Sequence, residues 1–153
     1  MHIVEEIWSE ILKESKNKIS LEPESETLFE KKIFAYDNLQ DSLSAKISDD
    51  LASKEYSKNN LNNKFKEVFS DPVYLERAVD DLKAINDRDP ATKGFVFTIL
   101  FSKGFAALQA HRVANHFMLA KHEVFAFFLQ SRSSVVYGVD IHPSAKIGKG
   151  VML

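Results

Sequence analysis

Apolar residues recur three and four positions apart through most of the chain, the spacing that places them on one face of an α-helix. Near the amino terminus this stripe contains Ile7, Trp8 and Ile11, and charged residues occupy positions between them. Further stripes of the same kind consist of Leu28, Phe29, Ile33 and Tyr36, then Leu43, Ile47 and Leu51, and then Leu61, Phe65, Val68 and Phe69. Each stripe predicts a helix with one buried face.

Capping residues and prolines predict where several of these helices begin. The clearest start is at Asp71 and Pro72, a capping side chain followed by proline at the first helical position. Pro23 marks the start of the second predicted helix, and Asp41 is placed to cap the third. The polar stretch SKEYSKNNLNN, residues 53–63, is predicted to be a loop.

Two later stretches, residues 95–119 and 122–136, are apolar on almost every face. Helices of this kind are central in a fold or are buried against another subunit. Pro90 precedes the first of them and biases Asp89 away from helical dihedral angles. We therefore expect Asp89 to lie in a turn between two helices.

The spacing of apolar residues changes from three and four to six after residue 138. One series consists of Ile141, Ile147 and Leu153, and a second consists of Val139, Ala145 and Val151. Such a period is typical of a left-handed parallel β-helix, in which each six-residue step forms one face of a triangular coil. The alternative is an irregular tail with chance spacing. We predict a mainly α fold, with a helical domain over residues 1–136 that leads into the first, truncated rung of a β-helix over residues 137–153.

Composition and charge exclude several classes of function. The chain has no cysteine, which excludes disulfides and thiolate chemistry and favours a cytoplasmic location. A net charge of −2 gives no indication of a nucleic acid or an anionic membrane as partner, and no apolar run is long enough to span a bilayer. His111, His116 and His122 are five and six positions apart, so they do not share a helical face, and no metal site is predicted.

Two stretches of sequence carry a family resemblance. DLKAINDRDPAT, residues 81–92, and DIHPSAKIGKGVML, residues 140–153, resemble the bacterial serine O-acetyltransferases, a family of hexapeptide-repeat acyltransferases. The resemblance covers residues 71–153 well, whereas residues 1–70 agree in helical character more than in sequence. It implies transfer of the acetyl group of acetyl-CoA to the hydroxyl of L-serine, the step that yields O-acetylserine for cysteine biosynthesis. Acetyl-CoA would be a co-substrate, bound between β-helix coils of adjacent subunits, and no other cofactor is implied.

The resemblance also implies roles for two carboxylates. Asp89 matches the residue that contacts the bound serine, through its ammonium group; the alternatives are a cap for a helix near Ala91 or an ion pair with Arg88. Asp140 matches the orienting partner of the catalytic histidine, which would lie beyond Leu153; a turn role is the alternative. His142 is expected to be structural rather than catalytic.

Several further expectations follow from the same resemblance. The chain would be the amino-terminal portion of its enzyme and inactive alone, and it would assemble as a homo-oligomer, a dimer of trimers in the full-length protein. Binding to cysteine synthase would depend on a carboxy-terminal tail outside this sequence. Two other functions stay open: a non-catalytic helical module for oligomerisation or regulation, and a hexapeptide acyltransferase with a different acceptor.

Overall fold

The computed structural model describes residues 2–153, and this part of the chain contains α-helices and no β-strand. The helices are α1 (His2–Leu21), α2 (Glu26–Phe29), α3 (Leu39–Leu51), α4 (Lys58–Phe69), α5 (Pro72–Arg88), α6 (Phe95–Phe101), α7 (Lys103–Leu119) and α8 (Glu123–Tyr137). None of the helices in residues 2–153 is both long and apolar enough to cross a membrane. The helical body predicted from the sequence is thereby confirmed.

The second predicted helix is present but irregular. A 3₁₀ turn at Pro23–Ser25 leads into α2, which continues as a π-helical turn at Glu30–Phe34. Phe29 and Ile33 are buried as the stripe predicted, whereas Leu28 remains 37% exposed. The widened π turn shifts the helix face, so a simple period of 3.6 does not describe this element.

Two helices begin earlier than predicted. Asn38, rather than Asp41, caps α3, and its side-chain oxygen accepts a hydrogen bond of 2.8 Å from the backbone N–H of Asp41. The predicted loop of residues 53–63 is also too long, because α4 begins at Lys58. Ser57 caps α4 by accepting from the backbone N–H three residues later. Asparagine and serine are favoured N-caps, and in both helices most residues of the first turn are polar, so the apolar stripe does not mark the helix start.

Helix α5 begins where the sequence predicts. The Asp71 side chain accepts a hydrogen bond of 3.0 Å from the backbone N–H of Val73, and Pro72 is the first helical residue. At the other end, Asp89 is extended, with φ −90° and ψ 108°, as expected for a residue before proline.

The apolar stretch of residues 95–119 forms two helices rather than one. The break is at Ser102, which is extended and caps α7 by accepting a hydrogen bond of 3.1 Å from the backbone N–H of Phe105. Helix α7 is central, with apolar residues buried on almost every face. Helix α8 packs against α7 but leaves Val124 83% exposed and Val135 74% exposed.

The start of α6 is capped by a residue of α1. The two carboxylate oxygens of Glu14 accept hydrogen bonds from the backbone N–H groups of Phe95, at 3.1 Å, and Val96, at 2.8 Å. Gly94 lies next to this carboxylate with φ +115°, and an added Cβ would lie 2.6 Å from Glu14 Oε1. The first helix is therefore joined to the middle of the chain by a polar contact as well as by apolar packing.

Helix α8 ends at Tyr137, where Gly138 adopts the left-handed conformation common at helix ends, with φ 72°. Residues 139–153, called the terminal segment below, follow without helix or strand. Five of the six residues in the two six-residue series are half-buried: Val139, Ile141, Ala145, Ile147 and Val151. The β-helical part of the predicted fold is thus not seen in residues 2–153, and a lone rung would lack the neighbouring coil that pairs with it. The domain division at residue 136 stays a prediction.

Candidate functional site

The terminal segment lies along α7 and is held there by side chains that bind its backbone. Asn115 Nδ2 donates to the carbonyl oxygen of Pro143 at 2.7 Å, and Arg112 Nη2 donates to that of Gly148 at 2.8 Å. At the start of α7, an added Cβ on Gly104 would overlap the carbonyl oxygen of Leu153. Residue numbers fall along α7 as they rise along the segment, so the two run antiparallel.

A buried ion pair forms the centre of this contact. Asp81 Oδ2 accepts from Arg112 Nη2 at 2.6 Å and Nε at 3.1 Å, and from Gln109 Nε2 at 3.0 Å. Asp81 Oδ1 accepts from the backbone N–H of Val151 at 2.9 Å. The carboxylate is fully buried, so the charge-assisted bonds compensate for the hydration that it has lost.

His111 contributes to the same contact as a neutral side chain. Its Nε2 lies 3.0 Å from the carbonyl oxygen of Ala145, an acceptor, so Nε2 carries the proton. Burial lowers the pKa of His111, although the bond to Ala145 opposes this shift. No group of three or more His, Asp and Glu side chains in residues 2–153 is placed to hold a metal ion.

Asp89 lies in the turn after α5 and lines a cavity of about 280 Å³ together with Lys93, Thr98 and Ser102. Its Oδ1 accepts a hydrogen bond of 2.9 Å from the backbone N–H of Ala91, but no helix begins there, since α6 starts at Phe95, so the bond forms a turn and not the helix cap that the sequence allowed. This bond fixes one carboxylate oxygen in the turn. Binding of serine by the other oxygen remains a prediction.

The guanidinium of Arg88 does not bind its neighbour Asp89 but donates to the carbonyl oxygen of Gly150 at 2.9 Å. The ion pair with Arg88, one of the alternatives for Asp89, is therefore replaced by a further contact between α5 and the terminal segment.

Asp140 is exposed at the beginning of the terminal segment. Its Oδ1 accepts a hydrogen bond of 2.8 Å from Gln130 Nε2 on α8, which holds the carboxylate in one orientation. His142 forms a turn instead, because its Nδ1 accepts from the backbone N–H of Ser144 and its carbonyl accepts from that of Ala145. These contacts hold the turn, and the structural rather than catalytic role of His142 stays a prediction.

The structure does not bring Asp89 and Asp140 together within one chain. The segment meets α7 at Asn115 near Asp140 and at Gly104 near its end, contact points about 16 Å apart along the helix axis. Asp89 shares its cavity with Ser102, at the Gly104 end of α7. Asp89 and Asp140 thus lie toward opposite ends of α7, and each is hydrogen-bonded to a different partner.

Sequence reasoning missed the polar side chains of the contact with the terminal segment. His111, Arg112 and Asn115 are buried or half-buried in a helix that is otherwise apolar. Buried polar residues are paired as a rule, so polar positions inside an apolar stretch were the signal that could have found them.

The family model described as serine acetyltransferase, N-terminal, matches residues 7–110. The chain belongs to the serine acetyltransferase family. A serine acetyltransferase of Buchnera aphidicola is 34% identical over 97% of this chain and 57% of its own length. The resemblance found in the sequence is thereby confirmed.

Solved structures of serine acetyltransferases share the fold of this chain. Soybean serine acetyltransferase complexed with serine is 36% identical, with a TM-score of 0.92 over 97% of this chain and 61% of its own. A serine acetyltransferase complex with CoA is 32% identical, with a TM-score of 0.92 over 97% of this chain and 64% of its own. The chain spans about half the length of the curated relatives it matches.

Proposed function

We propose that the protein transfers the acetyl group of acetyl-CoA to the hydroxyl of L-serine and yields O-acetylserine, the first step of cysteine biosynthesis. The observation that carries the proposal is the likeness of almost the whole chain to a serine acetyltransferase complexed with serine. The likeness to a complex with CoA supports acetyl-CoA as co-substrate.

In this proposal a catalytic histidine beyond Leu153 removes the proton of the serine hydroxyl as its oxygen attacks the thioester carbonyl. The tetrahedral intermediate then collapses, the carbon–sulfur bond breaks, and the CoA sulfur leaves with a proton from the imidazolium. Asp140 orients that imidazole and stabilises its positive charge. Asp89 binds the ammonium group of serine through its carboxylate.

The test is a kinetic assay of CoA release with a protein that contains residues 1–153 and the catalytic half that the proposal places after them, called the longer protein below. Asp89→Asn removes the charge but keeps the shape, so the KM for serine should rise about tenfold or more while the KM for acetyl-CoA stays the same. Asp87→Asn is the matched control, since Asp87 is an exposed carboxylate on α5 close to Asp89. An equal KM for serine in both variants contradicts the role of Asp89. Acetylation of serine by residues 1–153 alone contradicts a base beyond Leu153.

We also propose that copies of the chain associate with one another. This association would suit the second possible function, a non-catalytic helical module for oligomerisation. The supporting observation is the exposed apolar face of α8, with Val124, Phe127 and Val135. Sedimentation of residues 1–153 tests this proposal, and a monomer at micromolar concentrations would contradict it. A dimer of trimers, a first β-helix rung, a cytoplasmic location and a cysteine synthase partner are finer predictions of the same proposal.

A further inference from the structure

Helix α5 contacts the end of the terminal segment and ends directly before Asp89. Asp81 and Arg88 are seven residues apart and therefore lie on the same face of α5, two turns from each other. Asp81 accepts from the backbone N–H of Val151, and Arg88 donates to the carbonyl oxygen of Gly150. Asp89 follows directly, so α5 links the position of this carboxylate to that of residues 150 and 151.

The buried ion pair acts on the position of the segment more than on stability. A buried pair of charges loses hydration and is often no more stabilising than an apolar pair of similar size. Here the ion pair fixes the terminal segment relative to α5, because the planar guanidinium of Arg112 donates to both Asp81 and the carbonyl oxygen of Gly148. The ammonium of a lysine cannot reproduce this fork.

We propose that Asp81 and Arg112 are positioning residues for the proposed acetyl transfer, and that they set the register of the terminal segment against α5 and α7. The inference rests on the proposed function, in which Asp89 binds serine and the base lies beyond Leu153. A slip of two residues in an extended segment moves it by about 6.6 Å. A much smaller displacement already lowers rates about a hundredfold.

Amide hydrogen exchange of residues 1–153 measures the register without reference to activity. The amide of Val151 lies outside any helix or strand, yet its bond to buried Asp81 should protect it. In Arg112→Lys, exchange at Val151 should be about tenfold faster or more, because the carboxylate loses its fixed partner, while amides of α1 and α3 keep their protection.

Arg132→Lys is the matched control. Arg132 also donates to two backbone carbonyl oxygens, those of Leu51 and Ala52, but both lie at the end of α3. In Arg132→Lys, amide exchange at Val151 should therefore match that of the wild type. Unchanged exchange at Val151 in folded Arg112→Lys overturns the proposal.

A second variant keeps the test decisive if Arg112→Lys does not fold. Arg88 is exposed, so Arg88→Gln leaves no buried charge unpaired. It removes the contact to Gly150 and should raise exchange at residues 150–153 about threefold or more. Asp81→Asn weakens the acceptor of the Val151 amide and should also raise its exchange. If neither Arg88→Gln nor Asp81→Asn changes amide exchange in the terminal segment, the proposal is wrong.

Kinetics of the longer protein then separate positioning from simple stability. A loss of folded enzyme lowers kcat and leaves both KM values unchanged, whereas a shift of the terminal segment relative to Asp89 disturbs the serine site between them and raises the KM for serine. Arg112→Lys should raise the KM for serine about threefold or more and lower kcat about tenfold, with the KM for acetyl-CoA unchanged. A fall in kcat alone counts against positioning. If the longer wild-type protein does not acetylate serine, the proposed function is wrong. The exchange measurement on residues 1–153 still shows whether Asp81 and Arg112 set the register of the terminal segment.

Discussion

Replacing Glu14 by alanine is expected to destabilise the fold far more than an ordinary surface change on α1. The carboxylate accepts hydrogen bonds from the backbone N–H groups of Phe95 and Val96, which have no intrahelical partner at the start of α6. Val96 is fully buried and Phe95 is half-buried. Leaving a buried N–H unsatisfied costs about 1–3 kcal/mol, and the less buried group costs about 1 kcal/mol. The expected loss is therefore about 2–4 kcal/mol.

Urea unfolding followed by far-UV circular dichroism measures this loss as a shift of the midpoint at constant slope. In a thermal scan the same loss lowers Tm by roughly 5–15 °C for a chain of this size. Glu14→Gln keeps one oxygen acceptor and should fall between the wild type and Glu14→Ala. Glu10→Ala is the control, because Glu10 forms a long, exposed ion pair with Lys13 and should change stability by less than about 0.5 kcal/mol. If Glu14→Ala is no more destabilising than Glu10→Ala, the cap does not stabilise α6.

Three further outcomes are expected. Gly94→Ala should lower the free energy of unfolding in urea by about 2–4 kcal/mol, because its Cβ would clash with the Glu14 carboxylate in addition to the strain of a positive φ. Gly138→Ala, with open space around it, should cost about 1–2 kcal/mol, and equal losses in the two variants would refute the clash. Below about pH 6.5 the free energy of unfolding should fall, because the lowered pKa of His111 lets the unfolded chain bind a proton first; His111→Gln should flatten this slope by up to about 1.4 kcal/mol per pH unit, and an unchanged slope would assign it to other groups. In the longer protein, Gln130→Leu should lower kcat about tenfold by releasing Asp140, and an unchanged kcat would show that this bond is dispensable.

Local signals in the sequence were enough to predict the helical body. Asp71 and Pro72 start α5 because a cap and a proline act within one helical turn, and the extended backbone of Asp89 follows from Pro90 alone. The break at Ser102 was missed, since the apolar residues on both sides continue one helical pattern and the cap is a single hydroxyl.

The contacts of the terminal segment could not be predicted in the same way. Asp81 and Arg112 are 31 residues apart, and the groups that they bind are backbone atoms, which every residue has. The sequence therefore shows that polar residues interrupt an apolar helix but not what they bind. The placement of Asp89 and Asp140 at different ends of α7 likewise depends on tertiary packing rather than on local spacing.

Attachment of the terminal segment through its peptide groups has an evolutionary consequence. Carbonyl oxygens and amide hydrogens are the same whichever side chain a residue carries. The hydrogen bonds from α5 and α7 therefore depend on the backbone conformation of the terminal segment and not on its side chains. Related proteins can exchange exposed residues such as Lys146 and still bind this part of the chain in the same place. Selection should also act on the helix side chains that bind these groups, which predicts that Asp81 and Arg112 vary less among homologues than exposed Lys146.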